Sequence, residues 1–377
     1  MNIALLKERR PYEKRVALTP EGVKKYTEKG FNVFVERGAG ERALFLDEAY
    51  EASGAHLCKT LEETLKNADI LLKIQRPLLK EEGSLDEIAL MKKGLILIGM
   101  LGGHTFPEAI KAYEKKDILA FSLELIPRIS RAQSMDVLSS QSNLGGYQAV
   151  IEAVYAYGRI FPMMMTAAGT LFPAKVLILG AGVAGLQAIA TARRLGAVVS
   201  AFDVREAARE HVESLGAQFI SVNGFESGEG GGGYAKEMSI EYQKAQSQLI
   251  HETLKKTNVV ITTALIPGKK APVLITEEMI QDMKPGSVIL DMAVEMGGNC
   301  SLSSLGETVE HKHVKIIGIP NLPSCIPQDA SQLYGKNMSA FLDILIPSSK
   351  GITSTLDDEI LKSSCLTPSC FPFKKDV

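Results

Sequence analysis

The sequence predicts an α/β protein of two domains, each built on a parallel β-sheet, with a cleft between them. Three observations predict this fold class. The chain has 377 residues, which is more than one hydrophobic core usually organises. Short apolar runs alternate with amphipathic segments in both halves, as in repeated βαβ units. One of these runs leads through a glycine-rich turn into a helix.

The first domain is predicted over residues 1–137, with a return of the chain at about residues 328–345. Its strands are short apolar runs at residues 3–6, 32–36, 69–73, 95–98 and 118–122. A helix is predicted to begin at Pro20, because Thr19 is a good N-cap and proline suits the first turn. Further helices are predicted at residues 60–67 and 107–115.

The second domain is predicted over residues 138–327. It begins with a long helix at residues 139–160, which only Gly145 and Gly146 interrupt. Five strands follow, at residues 175–179, 198–203, 259–263, 288–291 and 314–317. An amphipathic helix at 329–345 is expected to pack back on the first domain. Residues 346–377 are rich in Ser, Pro and Lys, which predicts a linker or a loose tail.

Composition narrows the possible functions. Lys and Arg number 42 against 44 Asp and Glu, so a nucleic-acid partner is not expected. The five cysteines show neither metal-ligand nor disulfide spacing, which predicts no metal site and a reducing, cytoplasmic environment. Residues 176–192 carry no charge, but their glycines and the flanking Lys175 and Arg193 indicate a strand, a turn and a helix rather than a membrane span.

The glycine-rich turn predicts a dinucleotide site in a Rossmann-like domain. Gly180 permits a tight turn after the strand, Gly182 admits a pyrophosphate, and Gly185 packs helix on strand. The helix N-terminus offers N–H donors to the phosphates. Asp203 ends the next strand, where a carboxylate binds ribose hydroxyls and repels a 2′-phosphate, so NAD is favoured over NADP. One alternative is a glycine turn that binds no ligand. Arg205 is expected to be a solvated side chain or to contact the adenosine, and the alternative is that it binds the 2′-phosphate of NADP.

A second polar segment, residues 127–136, joins the last strand of the first domain to the long helix. It gathers a cation, an amide and a carboxylate in Arg128, Gln133 and Asp136, near the carboxyl ends of the strands. Such donors and acceptors could hydrogen-bond a ring that bears a carboxamide group and hold it in place. The alternative is a helix N-cap by Asp136 or Ser139, with Arg128 in a salt bridge, and the residues alone leave both interpretations open.

A third unusual segment is the loop at residues 224–238. Six glycines stand within residues 224–233, so the loop is expected to be flexible. Tyr234 follows directly, and an aromatic anchor on a flexible loop predicts a lid. A disordered insertion is the alternative.

These motifs together resemble one family. The segment at 128–150, RISRAQSMDVLSSQSNLGGYQAV, is similar to an invariant loop of domain I, the NAD(H)-binding component of proton-translocating NAD(P) transhydrogenase. Four further motifs match that family: GAGVAG at 180–185, FDVR at 202–205, GGYAKEMS at 232–239 and AVEMGGNC at 293–300. The resemblance runs from residue 2 to about residue 345, and it implies two Rossmann-like domains.

The resemblance implies a function. The chain is expected to bind NAD(H) and to transfer hydride between NADH and NADP⁺, with NADP(H) held only by a partner component, coupled to proton translocation across a membrane. Its implied partners are a second copy in a homodimer, a membrane-embedded proton-channel subunit and an NADP(H)-binding subunit. A cytoplasmic protein, peripheral on the inner membrane through those subunits, is therefore expected.

The resemblance also implies site residues. Arg128, Gln133 and Asp136 are expected to hold the nicotinamide and its ribose. Ser139 is expected to contact the ring region, and Tyr234 to belong to a mobile loop that closes over bound nucleotide. These five are the predicted catalytic residues. The predicted cofactor-binding residues are Arg128, Ile129, Ser130, Gln133, Asp136, Gly180, Gly182, Val183, Gly185, Asp203, Val204, Arg205, Gly233, Tyr234, Ala264 and Leu265.

Alanine dehydrogenase, which resembles this chain in the same two domains, is the first alternative function. The cations that hold its substrate are kept here as Arg15 and Lys73. However, Gly102 stands where that enzyme has a catalytic His, and His104, two residues away, is expected to be a surface or capping residue. Glu295 stands where it has a catalytic Asp, and the GGYAKEMS loop has no counterpart in it. A non-catalytic NAD-binding module is the second alternative.

Overall fold

The computed structural model describes residues 1–83, 85–222, 228, 238–266, 269–347, 351–353 and 355–371. The chain forms two compact units, Met1–Gln141 with Ser324–Val377, and Ser142–Pro323. The sequence predicts the corresponding limits at 137/138 and 327/328. Each unit is an α/β domain with its own, mainly parallel sheet, so the predicted fold class is confirmed.

The first unit is built on a six-stranded parallel sheet of order β3-β2-β1-β4-β5-β6. Its strands are β1 (Asn2–Leu5), β2 (Asn32–Glu36), β3 (His56–Cys58), β4 (Ile70–Gln75), β5 (Ile96–Met100) and β6 (Leu119–Ser122). Its helices are α1 (Pro20–Glu28), α2 (Asp47–Ala52), α3 (Leu61–Lys66), α4 (Glu87–Leu90), α5 (Pro107–Lys115), the start of α6 (Val137–Tyr157), α11 (Pro327–Leu345) and α12 (Glu359–Ser364). Sequential strands are thus joined by helical crossovers on a sheet whose order reverses beside β1.

Local sequence explains where these helices begin and what they bury. Thr19 caps α1, since its hydroxyl accepts a hydrogen bond from the Gly22 amide at 3.4 Å, and Pro20 takes the first helical position. The returning helix α11 lies in the core of the first unit with Tyr334 and Phe341 fully buried. Tyr334 also donates its hydroxyl to the Lys73 carbonyl of β4 at 2.8 Å. Helix α11 is therefore part of the first unit's core.

The second unit is built on a seven-stranded sheet of order β11-β10-β9-β12-β13-β15-β14, in which only β14 runs antiparallel. Its strands are β9 (Lys175–Leu179), β10 (Val198–Phe202), β11 (Gln218–Ile220), β12 (Val259–Thr262), β13 (Val288–Asp291), β14 (Thr308–His311) and β15 (Val314–Ile317), and a separate hairpin is formed by β7 (Met164–Thr166) and β8 (Gly169–Leu171). Its helices are α7 (Val183–Arg194), α8 (Ala208–Ser214), α9 (Ile240–Leu254) and α10 (Glu277–Gln281), with most of α6. The order reverses between β9 and β12, which is where doubly wound sheets bind ligands.

Helix α6 differs from its prediction, because the glycine pair does not interrupt it. Gly146 instead allows a close contact within the second unit. A Cβ atom at Gly146 would lie 2.1 Å from the carbonyl oxygen of Ala184, in the first turn of α7. The glycine therefore serves helix packing, and its lower helix propensity is offset by the tertiary contacts of a long helix.

The predicted loose tail is wrong for its described part. Helix α12 buries Ile360 and Leu361 in the core of the first unit, and Leu366 donates its amide to the Ala120 carbonyl of β6 at 2.8 Å. Asp358 caps α12, and hydrogen bonds from Arg131 hold the pKa of its carboxyl below the usual range. The Ser-rich composition concealed a short helix whose few apolar residues are all used in packing.

No helix in the described part of the chain is long and apolar enough to cross a membrane. The uncharged stretch at 176–192 forms β9, the glycine turn and most of α7, as predicted.

Candidate functional site

The glycine turn lies at the carboxyl end of β9. Gly180 has φ +102°, a backbone conformation that favours glycine, and its amide donates to the Phe202 carbonyl of β10 at 2.8 Å. A Cβ at Gly185 would lie 1.8 Å from the Gly180 carbonyl oxygen, so the third glycine is needed for helix α7 to pack on the turn. A Cβ at Gly182 would meet no atom within 4 Å. Packing therefore explains the first and third glycines and leaves the second to be explained by a ligand.

Asp203 lies directly beside this turn. Its Oδ2 accepts from the amide of Ala181 at 2.8 Å, and the residue is only 8% exposed. Arg205 folds back on Asp203, since Nε of the arginine donates to Oδ1 of the carboxylate at 2.9 Å and Nη2 donates to Oδ2 at 2.8 Å. The carboxylate that was predicted to bind ribose thus also fixes the turn, and Arg205 is paired with it rather than merely solvated.

The segment after β12 packs against the same turn. Thr263 donates its hydroxyl to the Gly180 carbonyl at 3.0 Å. Ala264, a predicted nucleotide contact, is held by Asn299: its amide donates to Oδ1 at 3.0 Å, and its carbonyl accepts from Nδ2 at 2.9 Å. Leu265, the next predicted contact, is exposed. The predicted residues Gly180 and Ala264 are therefore brought together by one connected set of contacts, and Leu265 follows Ala264 in the chain.

Asp291 supports that set from the end of β13. It is fully buried and accepts hydrogen bonds from the Thr262 hydroxyl at 2.9 Å, the Asn299 amide at 2.8 Å and the Ser303 hydroxyl at 2.6 Å, besides the amides of Ala293 and Cys300. The motif at 293–300 contains Asn299, but the sequence alone indicates no role for this residue. Its place in that motif is the only sign in the sequence that Asn299 belongs to the site, because its contact with Ala264 forms only when the unit folds.

The polar segment at 127–136 forms a short 3₁₀ helix, Ser130–Met135, between β6 and α6. Ala132 and Met135 are buried and anchor it, whereas Arg128, Ser130 and Gln133 are exposed and Ile129 is half-buried. The segment therefore presents its predicted polar groups outward from an apolar base.

Asp136 caps helix α6. Its Oδ1 accepts from the Ser139 amide at 2.8 Å and its Oδ2 from the Ser139 hydroxyl at 2.6 Å. The capping interpretation is thus correct for Asp136. It does not decide between the two interpretations of the loop, because a half-buried capping carboxylate still has lone pairs for a ligand.

Two predicted residues lie outside the described residues. Gly233 and Tyr234 belong to the glycine-rich loop at 224–238, of which only residues 228 and 238 are described. The predicted lid therefore stays a prediction. Val183 opens α7 as its first residue, and Val204 is half-buried beside Asp203.

The cations that would hold a small acid are buried in the first unit beside carboxylates. Arg15 donates to Glu13 at 2.8 and 2.6 Å and to Gln141 at 2.8 Å. Lys73 lies 3.2 Å from Glu8 and 3.3 Å from Glu87. Burial alone would lower the pKa of Lys73, but the two carboxylates hold it above the ordinary value, so it stays a cation.

A side chain at the position of the missing histidine would be strained in this backbone. Gly102 has φ +85°, and a Cβ there would lie 2.3 Å from the ring of Phe106. His104 is exposed, as expected of a surface residue, and Glu295 accepts from the Asn321 amide at 3.0 Å. The first unit thus offers no imidazole at the place where alanine dehydrogenase has its acid.

The two halves of the chain match two family profiles, "Alanine dehydrogenase/PNT, N-terminal domain" over residues 4–145 and "Alanine dehydrogenase/PNT, C-terminal domain" over residues 149–369. A relative from Rhodospirillum rubrum, an NAD(P) transhydrogenase subunit alpha, is 54% identical over 97% of this chain and 96% of its own. An alanine dehydrogenase from Methanococcus maripaludis is 30% identical over 79% of this chain and 74% of its own.

A solved structure gives the same result. The crystal structure of a transhydrogenase from Sinorhizobium meliloti superimposes with a TM-score of 0.86 at 46% identity, covering 97% of this chain and 98% of that one. Alanine dehydrogenase is thus a more distant relative than the transhydrogenase subunits. The chain belongs to the alanine dehydrogenase/PNT family, and within it to the NAD(P) transhydrogenase alpha subunits.

Proposed function

We propose that this chain is the NAD(H)-binding subunit of a proton-translocating NAD(P) transhydrogenase. It binds NADH and presents the nicotinamide for hydride transfer to NADP⁺ on a partner subunit, and the assembly couples that transfer to proton movement across a membrane. The observation that carries the proposal is the turn of the second unit, where Gly182 leaves open space between an acid and a helix N-terminus. Relatives of nearly the same length support it.

The reaction requires little of this subunit besides positioning of the nicotinamide ring. Hydride passes from C4 of one nicotinamide to C4 of the other, with no proton transferred at either carbon, so two fixed rings at contact distance suffice. Arg128, Gln133, Asp136 and Ser139 would fix the ring, and Tyr234 would close over the nucleotide. The turn, Asp203, Ala264 and Leu265 would hold the rest of the cofactor.

Complex formation tests this function. The purified chain is mixed with the NADP(H)-binding component of a transhydrogenase, and transfer between nucleotide analogues is followed. We expect transfer that requires both proteins and saturates with either. A chain that binds NADH tightly but gives no transfer with any such component would instead be the non-catalytic NAD-binding module.

The cofactor preference is proposed to follow from Asp203. The chain should bind NADH more tightly than NADPH, and Asp203→Ala should reduce the ratio of the two affinities by about tenfold or more, because like charges brought together cost several kcal/mol. Titration calorimetry measures both affinities. Asp203→Asn removes the charge but keeps an acceptor for the Ala181 amide, so it should reduce the ratio of affinities as Asp203→Ala does while it retains the contact with the turn. Equal affinity of the unmodified chain for both nucleotides would contradict the role of Asp203.

The partner subunits are proposed to hold this chain at the inner membrane. We propose that it is cytoplasmic and docks on a membrane-embedded proton-channel subunit and on the NADP(H)-binding subunit. Its charge is nearly balanced, with Lys and Arg numbering 42 against 44 Asp and Glu, so its net charge does not favour attachment by broad electrostatic attraction to anionic lipid. Specific contacts with those subunits would serve instead.

The second copy is proposed to bind at the hairpin of β7 and β8. Most apolar side chains of this hairpin are exposed. The exposed fraction is 74% for Met165, and it is 80% for Phe172, which directly follows the hairpin. An exposed apolar hairpin marks a protein interface.

In sedimentation equilibrium the chain should be a dimer, and the double variant Met165→Asp, Phe172→Asp should be a monomer. Leu305→Asp, on an apolar residue outside the hairpin that is 51% exposed, is the control and should stay dimeric. A monomeric unmodified chain would refute the proposal.

The chain is not expected to act as an alanine dehydrogenase. Reduction of NAD with alanine needs a general acid and base, which contributes about 10²–10⁴-fold, and Gly102 supplies none. The pure chain should therefore reduce NAD with alanine at least about a hundredfold more slowly than an alanine dehydrogenase assayed beside it. Turnover at a rate comparable with that of the alanine dehydrogenase would favour the alternative function.

A further inference from the structure

Asn337 connects helix α11 to the polar segment that we propose holds the nicotinamide. Its Nδ2 donates to the Ser134 carbonyl at 2.8 Å, and its Oδ1 accepts from the Ser140 hydroxyl at 2.7 Å. The residue is 9% exposed and lies in the first unit with both of its partners. One buried amide thus bonds to the 3₁₀ helix and to the first turn of α6.

These two bonds bracket Asp136 and Ser139, and the first of them lies directly beside Gln133. Ser134 follows Gln133 directly, and Ser140 follows Ser139, which Asp136 caps. A carbonyl can only accept, so the contact with Ser134 fixes which end of the Asn337 amide faces the loop. The short segment that carries Asp136 and Ser139 is therefore held at both ends by one side chain, and Gln133 adjoins the end at Ser134.

Packing alone does not explain an amide at this place. On either side of Asn337 the helix buries Tyr334, Met338 and Phe341 in an apolar core. Burying an amide there costs free energy unless it is hydrogen-bonded, whereas an apolar side chain would only have to fit. The amide is thus better explained by the position it gives to its partners than by the stability it adds.

We propose that Asn337 is a positioning residue for hydride transfer, which acts through the loop of Gln133 and Asp136. This inference rests on the proposed function. Loss of its contact with Ser134 would let the loop move while Ala132 and Met135 still anchor it. A displacement of about 1 Å at a reacting group costs up to about a hundredfold in rate, so Asn337→Ala should slow single-turnover transfer by about tenfold to a hundredfold. NADH affinity should change by no more than a few-fold, because the segment contacts only the nicotinamide end.

The experiment is a double-mutant cycle. Asn337→Ala, Gln133→Asn and their combination are compared in the full chain, mixed with the NADP(H)-binding component, by stopped-flow transfer and by NADH titration. Gln332→Ala, on an exposed residue of the same helix, is the matched control and should change neither quantity. Ser140→Ala removes the donor to Oδ1, together with the weaker bonds of that hydroxyl to Val137 and Gln141, and replaces Asn337→Ala if that variant melts below the assay temperature. We expect it to slow transfer several-fold.

The outcomes separate the two proposals. If Asn337 acts through the loop, the double variant should be little slower than the slower single variant, since residues of one network are not additive. Full additivity, or a loss of NADH affinity that equals the loss of rate, would overturn the positioning role while the function stands. If Gln133→Asn leaves transfer unchanged, the loop is not the positioning element and the role of Asn337 falls with it. No transfer by the unmodified chain would contradict the proposed function itself.

Discussion

Gln133→Asn is expected to slow hydride transfer in the reconstituted complex by about one to three orders of magnitude, while NADH affinity stays within a few-fold. The side chain is exposed on the 3₁₀ helix Ser130–Met135, whose apolar residues are anchored beneath it. Shortening it by one methylene would withdraw the amide from the proposed position of the nicotinamide ring without disturbing that base. Contacts made mainly at the reacting ring change rate rather than affinity, because the adenosine and pyrophosphate half supplies most of the binding energy.

Stopped-flow transfer and equilibrium binding on the same preparation measure the two quantities. Gln332→Asn shortens an exposed amide of α11 in the same way and should leave both unchanged. If affinity falls and the single-turnover rate does not, the loop is a binding element only, and its role in positioning is wrong.

Gly182→Ala is expected to weaken nucleotide binding and leave the fold intact. The backbone there is extended, at φ −78° and ψ −167°, and the added Cβ meets no atom of the described chain within 4 Å. Stability should therefore be unchanged or rise by about 0.4–1 kcal/mol, as for a glycine replaced where alanine fits. NADH affinity should fall by about tenfold to a hundredfold, because overpacking a fitted contact costs about 1–3 kcal/mol and the methyl group occupies the approach of the pyrophosphate.

Gly185→Ala is the contrasting variant. Its Cβ would lie 1.8 Å from the Gly180 carbonyl oxygen, so the turn must shift and the melting temperature should fall even without nucleotide. Calorimetry of both variants with and without NADH separates the two effects. If Gly182→Ala binds NADH as tightly as the unmodified chain, the turn is a structural feature without a ligand.

Most of the fold could be predicted because its strong signals are local. The strands β2, β9, β13 and β15 coincide with the predicted segments, because each is a short, mainly apolar run that can be recognised without tertiary information. The strands that were missed are short or lie at sheet edges, such as β3, β11 and β14, where pairing with a neighbour rather than hydrophobic pattern decides the structure. The prediction of a loose tail was wrong for a similar reason, because the short helix α12 is stable only when it packs against the core of the first unit.

The candidate site divides in the same way. The turn at Gly180 and the acid at Asp203 were predicted, because a fixed backbone geometry requires glycine and a fixed spacing brings the acid near it. The supporting residues were missed, because their partners are remote in sequence. Asn337 and Ser134 are 203 residues apart, and Asn299 is 35 residues from Ala264. No periodicity or spacing rule connects such pairs.

The central claim is that this chain positions NADH for direct hydride transfer to a nucleotide on another subunit. The most direct measurement uses NADH that carries deuterium on the transferred position of C4, mixed with this chain and with the NADP(H)-binding component loaded with an NADP⁺ analogue. Mass spectrometry then follows the label. The account predicts that all the deuterium appears in the reduced analogue, at a rate that requires both proteins and drops with Gln133→Asn. Hydrogen from solvent in the product, or no transfer from a chain that binds NADH, would contradict it.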